Sequence, residues 1–257
     1  MLIHRLPAFT DNYLFVLEDP TAHEAIAVDP GDAQPILHCL EQLGATLVGI
    51  WQTHHHADHI GGTPQLLAHF PQALVYGGAE DRGRLPGQKV FLTDGDRLSF
   101  AGRSAEVIFV PGHTRAHIAY YFPPQQEGET GELFCGDTLF AGGCGRLFEG
   151  TPQQMQTSLA RLRQLPDQTR VWCAHEYTLG NLRFALSLEP HNQEVQERFQ
   201  AVEQARQHQQ PTVPSLLGLE KKTNPFLRWD SLALQQLTGQ QEAAQVFGKL
   251  RSMKDHF

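Results

Sequence analysis

The chain has little of what marks several large protein classes. Its 257 residues include only four cysteines, Cys39, Cys135, Cys144 and Cys173, and no C-x-x-C spacing, so no paired-cysteine metal or redox motif is present. Cys135 and Cys173 fall in apolar runs, where buried reduced thiols are expected, and that suits a cytoplasmic location. No apolar run is long enough to cross a membrane, and Met1-Leu2-Ile3-His4-Arg5-Leu6-Pro7 holds no signal-peptide core. Positive charge is not in excess: the formal net charge is -8, which argues against a general nucleic-acid binder. No G-x-S-x-G elbow occurs, which counts against a serine hydrolase. Internal repeats and low-complexity tracts are also missing. At this length the chain can bury a large core as one domain or two.

Histidine is what the chain has in abundance, 14 in all. Four of them fall in Thr53-His54-His55-His56-Ala57-Asp58-His59. Neutral imidazole is the commonest protein ligand for a transition metal. Carboxylate adds the negative charge that a dication needs and can bridge two ions. Residues 45–51, ahead of the run, are apolar and β-branched and read as a buried strand. Gly61-Gly62-Thr63-Pro64, behind it, opens a helix with Pro64 in the first turn. In an extended stretch residues two apart face the same way. His54 and His56 can therefore share one metal, while Asp58 and His59, past the bend, can face a second. His55 points away and is expected to be structural or solvent-facing. His69, His191, His208 and His256 have no motif context and read as surface residues.

Three more donors sit in the same kind of place. Strand patterns over residues 105–110, 131–136 and 169–174 run into His113, Asp137 and His175. Side chains at strand ends are held by a rigid scaffold yet remain reachable from a cleft. Singly, each has an ordinary explanation, as a turn, a cap or a buried polar residue. Jointly they complete five histidines and two aspartates, a nitrogen and oxygen set that suits two ions of zinc, iron or manganese. Leu14–Leu17 and Ala25–Asp29 read as the first strands, residues 34–43 as a helix ended by Gly44, and Ala73–Tyr76 as another strand. Beyond His175 the pattern turns helical, over residues 192–207 and over two shorter stretches within 232–250 split by Gly239, with a loop at 209–214. The order predicts a layered α/β fold followed by a helical part.

The T-H-x-H-x-D-H run, Pro111-Gly112-His113-Thr114, Gly136-Asp137-Thr138-Leu139-Phe140 and Ala174-His175-Glu176-Tyr177-Thr178 together resemble the metallo-β-lactamase superfamily. The segments 140–150, 223–228 and 250–255 narrow the likeness to the glyoxalase II (hydroxyacylglutathione hydrolase) family, over essentially the whole chain. The resemblance implies a four-layer αββα metallo-β-lactamase sandwich as catalytic domain over residues 1–174, and a C-terminal helical substrate-binding domain over 175–257. It implies two divalent transition metals per chain, zinc first, with iron or manganese as alternatives. His54, His56 and His113 would hold one, Asp58, His59 and His175 the other, and Asp137 would bridge them. Asp58 and Asp137 would then flank the hydroxide between the metals and are the expected catalytic residues. Substrate contacts are implied for Arg146, Phe148, Tyr177, Arg251 and Lys254. Arg251 and Lys254, three apart, can share a helix face; without the resemblance they read as a solvated terminal face. Phe148 stands where some members carry tyrosine and offers only packing. Arg146 stands where others carry lysine, and either supplies positive charge.

The implied activity is hydrolysis of S-(2-hydroxyacyl)glutathione thioesters, chiefly S-D-lactoylglutathione, to glutathione and D-lactate, the second step of methylglyoxal detoxification. A metal lowers the pKa of its water to about 7, which makes hydroxide available at neutral pH. A thioester suits such a site because its thiolate leaving group is a weaker base than an alkoxide. The expected partner is this small molecule alone, with neither nucleic acid nor membrane, acting on a monomer. The alternatives are another hydrolase of the superfamily, a sulfur dioxygenase acting on a glutathione-linked substrate, and a metal-binding protein without turnover.

Overall fold

A proline at position 7 and half-exposed residues around it confine the first strand, β1 (Leu2–Ala8), to the edge of a sheet, where a missing N–H is tolerated. The sequence pattern puts the first strand at Leu14–Leu17, so β1 is a correction. Its apolar residues do not alternate cleanly because neither face is fully covered. The computed structural model describes residues 1–126 and 128–257. They fold as two units. One comprises Met1–Phe109, Ala116–Glu129 and Phe134–Gly136, and the other Val110–Arg115, Thr130–Leu133 and Asp137–Phe257.

In the first unit, β1 is followed by β2 (Asn12–Asp19), β3 (Glu24–Val28), α1 (Ala33–Leu43), β4 (Thr46–Trp51), α2 (Ala57–Ile60), α3 (Thr63–His69), β5 (Leu74–Gly78) and β6 (Gln88–Leu92). The six strands form one sheet in sequence order, antiparallel from β1 to β3 and parallel from β3 to β6. Helix α1 starts where the Asp32 carboxylate accepts from the Gln34 N–H, 2.9 Å, and ends at Gly44, which takes the left-handed conformation expected of a C-terminal glycine. Its buried face, Ile36, Cys39 and Leu40, packs with Val16, Ala27 and Ile50 of the sheet. Strands β7 (Arg97–Phe100), β8 (Arg103–Phe109) and β9 (Ile118–Phe122) follow in antiparallel order. They cover the other face of the first sheet through Trp51, whose ring lies 5.0 Å from Tyr120 and 5.8 Å from Phe122. β9 is buried at every position, so it shows no alternation for a sequence pattern to catch. β10 (Glu132–Gly136) runs across the boundary of the two units.

The second unit contains the two-residue strands β11 (Leu139–Phe140) and β12 (Gly143–Cys144), then α4 (Pro152–Arg163), β13 (Arg170–Cys173), α5 (Thr178–Leu188), α6 (Gln193–Gln207), β14 (Ser215–Leu216), α7 (Leu217–Thr223), α8 (Leu232–Thr238) and α9 (Ala243–Asp255). Thr151 and Gln154 close a capping box on α4, with Pro152 in its first turn. The helical patterns read from the sequence match α6, α8 and α9, and Gly239 ends α8 in the left-handed region. Phe184, Phe226 and Phe247 stack or meet edge-on at 5.8–6.0 Å in the helical core.

A buried carboxylate in this unit gathers several partners. Glu220 accepts from Arg198, from the Ser215 hydroxyl and from the Gly142 N–H at 2.8 Å. Asn224 donates to the Phe140 and Gly143 carbonyls at 3.1 and 2.9 Å, so the β11–β12 turn hangs on side chains of α7 and its end. Glu220→Ala should cost about 3–5 kcal/mol in urea unfolding, because it strands a buried guanidinium. The double change Arg198→Met, Glu220→Met should cost less, and a double loss as large as the single one contradicts this account of the pair.

Candidate metal centre

The parallel strands of the first unit point their C-terminal ends at one loop cluster. β3 ends in Val28, and Asp29 follows in a left-handed conformation, φ 48°. Its carboxylate accepts from the Thr53 N–H and the Thr53 hydroxyl, both at 2.7 Å, and pairs with His59 Nδ1 at 3.0 Å. Proton on Nδ1, His59 turns its Nε2 lone pair outward, 3.5 Å from Asp58 Oδ2. Asp29, His54 and His59 each offer a donor within 4.8 Å of the others. The oxygens of Asp29 already serve three partners, which suits an orienting role for Asp29 beside the candidate donors.

His54 and His56 do face the same way: His54 Nε2 lies 3.1 Å from His56 Nδ1. His55 turns aside, with Nδ1 3.1 Å from the buried Asp81 carboxylate and Nε2 against Arg84. His117, which has no role in the sequence reading, is fully buried and stacks on His54 with ring centres 4.6 Å apart. His69, His191, His208 and His256 are exposed.

In the second unit His113 Nδ1 donates to the Arg146 carbonyl at 2.9 Å, which leaves Nε2 as the lone pair, 3.4 Å from Asp137 Oδ2. His175 Nε2 lies 3.4 Å from the other oxygen, Oδ1. One carboxylate thus has a different histidine on each oxygen. Tyr177 stacks on His175 at 4.7 Å and 5°, and Phe148 meets His113 edge-on at 5.2 Å. A cavity of about 670 Å³ opens beside His113 and Asp137 and reaches Arg146, Tyr177, Arg251 and Lys254. Phe148 lines it too and is 64% exposed.

Arg251 departs from the solvated-face reading. It is only 5% exposed, donates to the Cys144 carbonyl at 3.0 Å and the Asp255 carboxylate at 3.1 Å, and lies over the Phe226 ring. Lys254 is half-buried, donates to the Gly180 carbonyl at 3.1 Å, and has its pKa lowered by burial first, then by Arg251 and Arg146. All four cysteines are buried and unbridged. Burial pushes the Cys144 thiol up to about 11 and Cys173 to about 12, so both stay protonated at neutral pH.

A family model described as the metallo-β-lactamase superfamily matches residues 10–175, and one described as the hydroxyacylglutathione hydrolase C-terminus matches residues 176–257. The chain is 64% identical to a hydroxyacylglutathione hydrolase of Gloeothece citriformis and 65% identical to one of a Synechocystis species, each over 100% of both chains. The chain belongs to the hydroxyacylglutathione hydrolase family. Among solved structures, ETHE1 from Myxococcus xanthus aligns over 98% of this chain and 90% of its own, at 23% identity and TM-score 0.69. TTHA1623, solved in a di-iron-bound form, aligns over 88% of this chain and all of its own, at 26% identity and TM-score 0.59. The fold is the metallo-β-lactamase fold with a C-terminal helical region, as the sequence resemblance implies.

Within this hydroxyacylglutathione hydrolase family member, the sequence reading misses Asp29, Asn12 and His117. Asp29 stands at a strand end like several of the candidate donors, and that shared placement is the one signal that marks it. Gly145 is also forced: a Cβ there would sit 2.0 Å from the Asp137 carbonyl and 3.0 Å from His113 Nδ1. Gly145→Ala should therefore lower stability by about 1–3 kcal/mol in urea unfolding through overpacking. An unchanged midpoint would show that the loop holding Asp137 is softer than its packing indicates.

Proposed function

We propose that the protein hydrolyses S-(2-hydroxyacyl)glutathione thioesters, chiefly S-D-lactoylglutathione, to glutathione and D-lactate, the second step of methylglyoxal detoxification. Two transition-metal ions would be held by His54, His56 and His113, by Asp58, His59 and His175, and by Asp137 between them. Zinc is the first choice, and iron is the alternative favoured by the di-iron form of TTHA1623. The supporting observation is the spacing of the donors. Ligands of a four-coordinate ion, each about 2.0–2.2 Å from it, stand about 3.4 Å apart. The separations within the two units are 3.1, 3.5, 3.4 and 3.4 Å. The family relatives, alike over their full length, supply the substrate class.

When bound, such ions supply Lewis acidity toward the thioester carbonyl and a nucleophilic water at neutral pH. The chain's own residues do the rest. Asp137 and Asp58 hold the water through their carboxylates and fix its lone pair toward the carbonyl carbon. Glutathione carries carboxylates, and Lys254 and Arg146 place positive charge along the cavity to receive them. Arg251 holds the cavity wall by its bond to the Cys144 carbonyl and adds charge from behind. Tyr177 fixes the plane of His175 and presents its hydroxyl to the peptide part of the substrate. Phe148 packs on the thiol-bearing segment. The thiolate leaves without prior protonation because it is a weak base. We assign the protein to the cytoplasm, where its four unbridged cysteines suit the redox poise, and to action as a monomer on this small molecule alone.

Purified protein should consume S-D-lactoylglutathione, seen as loss of thioester absorbance, and should hold two transition-metal ions per chain. Asp137→Ala should lose both ions and reduce turnover by about a thousand-fold or more. A fully active Asp137→Ala protein overturns the reading.

The cavity cations yield a second test. Lys254→Ala should raise KM about ten-fold with kcat little changed, since a hydrogen bond to a charged group is worth about 1.5–3 kcal/mol and binds ground and transition states alike. The lowered Lys254 pKa sets a pH window. The folded chain sheds this proton at a lower pH than the unfolded one, so the group's contribution to stability rises with pH between the two values. KM should climb over the same interval, below the ordinary lysine value of 10.5, as the cation is lost. A flat KM across that interval in the parent protein contradicts a binding role for Lys254.

A further inference from the structure

The turn between β1 and β2 carries two features that packing alone does not explain. β1 and β2 pair from Leu2↔Glu18 through Ala8↔Asn12, which leaves Phe9, Thr10 and Asp11 at the tip. Phe9 is 61% exposed and held at φ 50°, a conformation rare for a bulky residue and one that a turn keeps only where its surroundings fix it. What the register delivers is Asn12. It is 7% exposed, and its Nδ2 donates to Asp58 Oδ2 at 2.9 Å.

Asp58 lies on α2, a single helical turn, and its side chain is 42% exposed. The oxygen that Asn12 grips is the one 3.5 Å from His59 Nε2. We infer that Asn12 is the positioning residue that presents the Asp58 carboxylate to the ion shared with His59. An amide suits this task for a chemical reason. It orients the carboxylate without neutralising it, whereas lysine or arginine at the same place would spend the negative charge that a dication needs. His59 is oriented from the opposite side by Asp29, so each of the two neighbouring donors has its own holder.

The inference rests on the two-metal reading above, and a zinc titration separates the two. The parent, Asn12→Ala, Asp58→Asn and the double variant are stripped of metal, then titrated with zinc against a competing chelator. The melting temperature of each metal-free protein is recorded alongside. If the parent binds fewer than two zinc ions, the two-metal reading fails. If it binds two, Asn12→Ala should weaken one binding step about ten-fold or more, the range typical of a lost ligand-orienting contact, and leave the other step unchanged. The weakened step should be the one that Asp58→Asn alters. The double variant should be no weaker at that step than Asp58→Asn alone, because the two residues act as one unit. Both steps unchanged in Asn12→Ala, or both weakened alike with a lowered metal-free melting temperature, overturns the inference and leaves Asn12 as a turn residue only.

Discussion

Asp137 carries a histidine nitrogen 3.4 Å from each of its two carboxylate oxygens, and the candidate centre depends on that arrangement. The separation is longer than a well-formed hydrogen bond, 2.7–3.2 Å, and matches the edge between two ligands of one metal ion. A carboxylate with a different imidazole on each side suits the bridging role proposed for it. The surroundings preserve this geometry. The Arg146 carbonyl sets the His113 tautomer, Tyr177 and Phe140 fix the plane of His175, and glycine at position 145 leaves room for the Asp137 backbone.

The donors of the first unit are prepared in the same manner, by neutral or already satisfied partners. Asp29 holds Thr53 and His59 together, and Asn12 holds Asp58. These contacts fix the orientation of the His59 ring and of the Asp58 carboxylate. The cationic cavity beside His113 and Asp137 is supported differently. Arg251 is spent largely on structure, over Phe226 and against Cys144, while Lys254 and Arg146 line the cavity and are themselves held, by the Gly180 carbonyl and by Asp255.

The proposed site was partly legible in the sequence because several of its residues follow an apolar strand. His54 follows β4, and Asp137 and His175 follow β10 and β13. The alternation of His54, His55 and His56 was legible for the same reason, as a period of two in extended chain. The residues that contact the candidate donors were not. Asn12 and Asp58 are 46 positions apart, and Asp29 and His59 are 30 apart. Such pairs leave no short-range spacing to read. Asp29-Pro30-Gly31 looks like an ordinary turn, and its carboxylate becomes significant only when β3 and β4 lie side by side. β1 carries no clear pattern because most of its residues are half-exposed, and β9 none because it is buried throughout. The burial of Arg251 was hidden too, since charge at helical spacing ordinarily marks a solvated face.

The bridging role proposed for Asp137 is open to direct measurement. Anomalous diffraction at the zinc edge from crystals grown with zinc tests it most directly. Two peaks per chain are expected, about 3.5–4 Å apart, each within about 2.2 Å of a carboxylate oxygen of Asp137. A single peak, or two peaks of which one is out of reach of Asp137, contradicts it.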